Sequence, residues 1–329
     1  MKTLCLIISL SFFLATLPLS NAGEINDSKK SEEKGKKHII NQIAKYKNRF
    51  GMEFVYIEPG SFTMGNGESP KALVKRDGGK EDYFKAEKNH DVVLTKGFWL
   101  QTKEVTKEQF EKFIEDTGYK TDAEKNDGGY GWDGSEWKKD ADYYWKNPSF
   151  EQGADHPAVC ISWNDAVEFC KWQTKNDKDG RKYRLPTESE WEYACKAGKM
   201  TNYCWGDDPD KGKGWCNASD LTAKENNPNW TVFNWKDGYI YTSPVASFKA
   251  NKWGLYDMHG NVFEWCQDWH GEYPSDKVKD PKGPGKGKFR VQRGGSWYSN
   301  PRNCRSANRF GNSPGDAYSD SGFRVVCEQ

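Results

Sequence analysis

Between Gly254 and Trp265 the chain reads Gly-Leu-Tyr-Asp-Met-His-Gly-Asn-Val-Phe-Glu-Trp, and from Arg290 to Trp297 it reads Arg-Val-Gln-Arg-Gly-Gly-Ser-Trp. Gly, Asp and Asn interrupt the apolar residues of the first stretch too often for a helical or strand period to run through it. Something other than a backbone ladder has to hold such a segment. Hard cations take carboxylate, amide and carbonyl oxygens that converge from a turn. Asp257, the carbonyls of Gly260 and Val262, and Glu264 fall within eight residues, and Gly260 lets the chain turn tightly. Calcium is the candidate ion. The alternative is that Asp257 and Glu264 are solvated or pair with a nearby arginine.

Regular elements are few. Thr106 and Gln109 form a capping box, Phe110, Phe113, Ile114 and Thr117 follow at helical spacing, and Gly118 ends the run. Ser162 caps a second helix with Trp163, Ala166, Val167 and Cys170 on one face. Pro186 and the box Thr187/Glu190 open a third, with Trp191, Ala194 and Cys195 inward and Gly198 past its end. Strands are expected at 53–57, 92–94, 98–102, 157–161, 290–293 and 323–327. Tyr119 to Phe150 and Tyr203 to Ser243 carry no clear period, and loops of that length are functional or held by calcium and disulfides. The fold class is α+β with low regular secondary structure.

The N-terminus reads as a signal peptide over residues 1–22: a basic start at Lys2, an apolar run from Leu4 to Leu17, and a small-x-small site at Ser20-Asn21-Ala22. The run is too short for a membrane span, so the protein is expected to be exported, periplasmic or extracellular. Residues 23–49, rich in Lys and Glu, are expected to be a mobile or loosely helical tether, and residues 50–329 form one domain. Lys2 is the one charged residue before Ala22, so the 49 basic and 48 acidic residues of the whole chain become 48 and 48 in the mature one. A neutral balance argues against a nucleic-acid partner. Eight cysteines remain after Cys5 is removed with the signal, and in an exported chain they favour disulfides.

Further motifs run in order along the chain. They are Phe54-Val55-Tyr56-Ile57-Glu58-Pro59-Gly60-Ser61-Phe62-Thr63-Met64-Gly65, Phe98-Trp99-Leu100, Lys103-Glu104-Val105-Thr106, Ser162-Trp163-Asn164-Asp165-Ala166 and Arg184-Leu185-Pro186-Thr187-Glu188-Ser189-Glu190-Trp191. With the two stretches first quoted and the closing Gly322-Phe323-Arg324, this series resembles the sulfatase-modifying-factor family, whose founding members are formylglycine-generating enzymes. The resemblance implies the formylglycine-generating-enzyme fold, which is C-type-lectin-like. It implies that Asp257, Gly260, Val262 and Glu264 are one calcium site. The Asn217 side chain, the Ala218 carbonyl, Asp237 and the Tyr239 carbonyl would be another. It implies two disulfides, Cys170–Cys327 and Cys195–Cys304. It also implies a peptide groove lined by Ser296, Trp297, Tyr298, Arg302 and Asp320.

Formylglycine-generating enzymes oxidise the cysteine of a sulfatase Cys-x-Pro-x-Arg segment with O2, using Cu(I) held by two cysteines after the Gly-Gly-Ser motif. Here Ser299 stands where the first of those cysteines should be, and no residue clearly replaces the second. A hydroxyl is no substitute for a thiolate toward a soft ion, so Cu(I) is not expected. A hydrolase built on Ser296 or Ser299 lacks a paired His and Asp signature. The expected function is an exported calcium-binding domain that takes a peptide, sulfatase or glycan ligand in the groove without copper-dependent oxidation. The alternative is a formylglycine-generating oxidase. The 15 Trp, 16 Tyr and 17 Phe either offer ligand-stacking surfaces, as at Tyr130/Trp132/Trp137 and Tyr143/Tyr144/Trp145, or fill gaps in a strand-poor core.

Overall fold

The structure, a computed structural model, describes residues 44–328. The expected signal peptide lies outside the described residues, as does most of the expected tether. The end of that tether belongs to the fold: Lys45–Lys47 is a strand paired antiparallel with Glu53–Ile57. Tyr46 packs on Phe54 and Trp99 with ring centroids 5.7 and 6.0 Å away. An aromatic at the centre of a charged segment is what draws the segment in, and the domain therefore begins before Phe50.

The largest sheet has five strands in the order Lys45–Lys47, Glu53–Ile57, Phe98–Gln101, Val326–Glu328, Lys182–Arg184, all neighbours antiparallel. The two ends of the described chain thus meet in one sheet. A four-stranded sheet carries both stretches that opened the sequence analysis, in the order Phe310–Asn312, Arg290–Arg293, Phe263–Trp269, Ser321–Gly322. A three-stranded sheet joins Val278–Lys279, His90–Leu94 and Gly60–Met64.

The three helices announced by their caps form as expected, over Lys107–Thr117, Trp163–Asn176 and Glu188–Lys196, each with a reciprocal capping box. Two expected strands differ. Residues 157–161 make a single bridge, Thr106 with Pro157, because Cys160 turns into the left-handed region at φ 53° and its N–H donates to Tyr318 O rather than along a ladder. The C-terminal strand begins only at Val326, since the Phe323 and Val325 carbonyls accept from Val105 and Gln101. The long loop from Tyr119 also holds more order than its composition suggests. It contains the short helix Asp122–Lys125 and a hairpin of Gly129–Trp132 with Trp137–Asp140.

Apolar packing divides into a cluster around Phe110, Phe169, Trp265 and Phe323 and a second around Val55, Leu100, Trp191 and Met258. Most aromatics fill the gaps between the irregular segments: Trp145 is buried against Phe110, and Trp132 against Tyr298 and Trp230. Arginines are buried with them, each beside a glutamate. Arg324 pairs with Glu264, Arg293 with Glu192, Arg305 with Glu87 and Arg309 with Glu188.

Not every buried acid has such a partner. Burial, then the neighbouring Glu188 carboxylate, push Asp268 up to about 7 while its Oδ2 accepts the Glu188 N–H at 2.9 Å. A carboxyl whose folded pKa is raised contributes stability that is complete below its unfolded value, about 3.9. That contribution is lost as pH rises through the folded value. Asp268→Asn keeps the acceptor and removes the charge, so it should flatten the decline in Tm between about pH 4 and pH 7. Scanning calorimetry across that range checks this, and an unchanged slope would contradict it.

Candidate ligand groove and cation sites

Gly294 and Gly295 both take positive φ, 95° and 77°, and a Cβ on Gly295 would stand 2.8 Å from the Cys304 sulfur. Only glycine passes here, and the tight path delivers Ser296 to Ser299 beneath an open groove of about 650 Å3. Ser296 Oγ donates to Asp320 Oδ2 at 2.9 Å, and Ser299 Oγ accepts the Ser296 N–H at 3.0 Å. The two hydroxyl oxygens are 3.3 Å apart. Burial raises the Asp320 carboxyl to about 6, partly opposed by the bond from Ser296. Neither serine hydroxyl is bonded to an imidazole among the described residues.

Of the expected groove residues, Tyr298, Ser299, Arg302 and Asp320 line the cavity. Ser296 lies just under its floor. Trp297 does not line it: the ring is 1 % exposed, packed among Trp137, Phe150 and Tyr241, and its Nε1 donates to Ser319 O. The rim is made by residues the sequence did not single out. Tyr83 and Phe310, both large and about half exposed, line the same groove, and Phe310 stacks on Phe263. Tyr83 lies in the short Glu81–Glu87 helix and Phe310 opens the short Phe310–Asn312 strand, and neither segment carries a motif.

The sites expected to hold calcium fall next to each other. Asn261 joins them: its Oδ1 accepts from Asn217 Nδ2 at 3.1 Å, and its Nδ2 donates to Glu104 Oε1 at 2.9 Å. Asp257, Gly260 and Asn261 all take positive φ, so the loop coils tightly through this point. Three oxygens here are buried without any hydrogen-bond partner: Asn217 Oδ1, Asp257 Oδ1 and Glu104 Oε2. Asp237 is held by the N–H groups of Ala218 and Tyr239 at 3.0 and 2.7 Å, and burial lifts it to about 7. Burial and the facing Asp257 carboxyl push Glu104 far above its ordinary range.

Glu264 is placed differently from the expectation. Both its oxygens are engaged, by Arg324 at 2.6 and 2.7 Å and by Trp191 Nε1 at 2.8 Å. The alternative of an arginine partner therefore holds for Glu264. Asp257 and Glu104, the latter not singled out as a ligand, present the free oxygens instead. Among the described residues no three His, Cys, Asp or Glu side chains gather as a metal cluster, so a cation here would rely on amide and carbonyl oxygens.

The eight cysteines are all buried thiols in the structure, so the expected Cys170–Cys327 and Cys195–Cys304 bridges are not formed. For Cys195 the reason is register. The Cys195 sulfur meets Met258 O and Ser306 Oγ at 3.5 Å and His259 Nε2 at 3.6 Å, and Ser306 is two positions beyond Cys304. Cys304 lies in the short Pro301–Cys304 helix and turns its sulfur toward Ser299 O. Cys170 and Cys327 lie in one core cluster, on a helix and on the C-terminal strand.

Short sheets and capped helices surround a glycine-turned serine floor and an oxygen-lined loop, and together these define a domain of the formylglycine-generating-enzyme fold. Residues 41–329 match the model of the sulfatase-modifying factor enzyme 1-like domain, and the chain belongs to that family. The formylglycine-generating enzyme of Mus musculus is 33 % identical over 304 residues, which cover 84 % of this chain and 75 % of that protein. That of Thermomonospora curvata is 33 % identical over 313 residues, covering 83 % and 93 %. The solved structure of PvdO from Pseudomonas aeruginosa superimposes with a TM-score of 0.66 at 30 % identity, over 87 % of this chain and 98 % of that one. No helix among the described residues is long and apolar enough to cross a membrane.

Proposed function

We propose that this is an exported, calcium-binding member of the family that holds a peptide or glycan in the groove without oxidising it through copper. The observation that carries this reading is the floor of the groove. Ser299 stands at the position of the first copper thiolate, and its hydroxyl is engaged with Ser296, which in turn bonds Asp320. The nearest thiol in sequence, Cys304, is fully buried, and burial pushes its pKa up, away from the thiolate that Cu(I) needs. A Cu(I) competition titration against a strong chelator tests this: the protein should leave the ion with the chelator. Uptake of one equivalent would favour the formylglycine-generating reading, which the 33 % identity to enzymes of that name also supports.

Calcium fits the orphaned oxygens. Asp257 Oδ1 and Glu104 Oε2 would hold one ion with the Gly260 and Val262 carbonyls, and Asn217 Oδ1 and Asp237 a second with the Ala218 and Tyr239 carbonyls. The ion would supply charge compensation for buried acids that have no cation of their own. With Ca2+ a hundredfold above Kd, each site adds about 2.7 kcal/mol, or about 5–10 °C in Tm for a domain of this size. Asp257→Ala should remove one such increment, read by thermal melting in Ca2+ against a chelator. A Tm indifferent to both would contradict calcium binding.

A further inference from the structure

We propose that the groove takes an acidic oligosaccharide, seated on Tyr83 and Phe310 with one ring carboxylate or sulfate on Arg302. This rests on the groove being the ligand site. Tyr83 is 51 % and Phe310 49 % exposed, and both sit on the groove wall. Exposed ring faces of this kind stack against the C–H faces of pyranose rings as they do against other flat apolar surfaces. A core-filling role does not account for them, since each leaves half its surface in water.

The polar wall selects among ligands. Asn303 and Asn308 line the groove, and neither carboxamide makes a hydrogen bond within the protein among the described residues. Asn308 is 8 % exposed, so its free amide is sunk in the wall and opens only onto the cavity. A carboxamide donates and accepts from one small group, which matches a sugar hydroxyl in both roles.

Charge separates an acidic ligand from a neutral or basic one. The buried arginines around the groove are spoken for: Arg305 pairs with Glu87 and Arg309 with Glu188, at 2.6–2.8 Å. Arg302 has no carboxylate within ion-pair distance among the described residues; its guanidinium lies 5.1 Å from the Tyr83 ring centre, and its Nε is buried without a partner. The acids are less open to a cationic ligand. Asp82 is paired with Lys85 at 2.5 Å, and Asp320 is buried and bonded to Ser296. Among the described residues, two charges of the groove lack an ion-pair partner, Arg302 beside the exposed Tyr83 and Asp320 at the buried floor, so an anion meets Arg302 at the rim while the arginine of a Cys-x-Pro-x-Arg peptide would have to reach the floor.

The test is calorimetric titration of the mature, Ca2+-loaded protein with four probes: tetragalacturonate, a chondroitin sulfate tetrasaccharide, chitotetraose and a Cys-x-Pro-x-Arg peptide. The acidic probes should bind about tenfold more tightly than chitotetraose, the worth of one charge-assisted hydrogen bond, and lose that margin in high salt. Because chondroitin sulfate carries glucuronate as well as sulfate, tight binding of galacturonate marks a carboxylate on Arg302, and tight binding of the chondroitin probe without galacturonate marks a sulfate. Arg302→Gln should abolish the margin between acidic and neutral saccharides; Phe310→Ala should weaken all three saccharides and keep the margin, with thermal melting showing that both variants fold. Equal affinity for neutral and acidic saccharides overturns the proposal. Binding of the peptide alone overturns it while the groove reading survives, and binding of no probe removes both.

Discussion

Glu264→Gln should destabilise the protein by about 3–5 kcal/mol, the cost of stranding a buried charge. Arg324 is fully buried, and among the described residues Glu264 is the one carboxylate within ion-pair distance of it. The same guanidinium donates to the Gln101 and Tyr256 carbonyls at 3.2 and 2.8 Å, so it ties the central strand of the large sheet to the loop before the cation site. Replacing Arg324 by Met should cost a similar amount, because Glu264 would then be left with Trp191 Nε1 alone. Removing both charges, as Glu264→Leu with Arg324→Met, should recover part of the loss, since well-packed apolar pairs often match a buried ion pair. Denaturant midpoints for these variants, with Glu264→Leu alone to close the cycle, give the coupling. A loss below about 1 kcal/mol for Glu264→Gln would mean the pair behaves as an exposed one.

Gly260→Ala is the second large effect, on the order of 3–4 kcal/mol. At φ 85° a side chain is strained whatever the space, and here there is no space: a Cβ would lie 2.0 Å from Asn217 O. That carbonyl accepts the Asn261 N–H at 2.7 Å, so relieving the clash pulls apart the bond that joins the two cation-site segments. Gly118 provides the control. Its φ is 65° and nothing lies within 4 Å of a Cβ there, so Gly118→Ala should cost only about 1 kcal/mol of backbone strain. If the two variants unfold at the same denaturant concentration, the close approach at Gly260 is not what holds this loop.

What could be read from the sequence was mostly local. The capping boxes at Thr106 and Thr187 and the cap at Ser162 each act within four consecutive residues, and the helices start where they place them. The floor of the groove was legible for the same reason, because Gly294 to Ser299 is continuous. What was not legible depends on distant pairs. Glu104 meets Asp257 only because the loop around Asn261 folds back onto the strand that ends at Gln101, and no spacing announces a contact across more than a hundred residues. Cys195 meets Ser306 and not Cys304, an offset of two positions that no spacing announces. Tyr83 and Phe310 approach the groove from opposite halves of the chain. Tyr46 shows the limit of composition: a Lys-rich segment still gives a strand when one aromatic can bury against Trp99.

The measurement that bears most directly on the central claim is turnover. The purified mature protein, loaded with Ca2+ and offered Cu(I), is incubated in air with a Cys-x-Pro-x-Arg peptide, and mass spectrometry follows the thiol. With Ser299 in place of a copper thiolate, the peptide should keep its cysteine. Catalytic conversion to the aldehyde, lost in Cys304→Ala, would contradict this account and make the protein a formylglycine-generating enzyme with a rebuilt copper site.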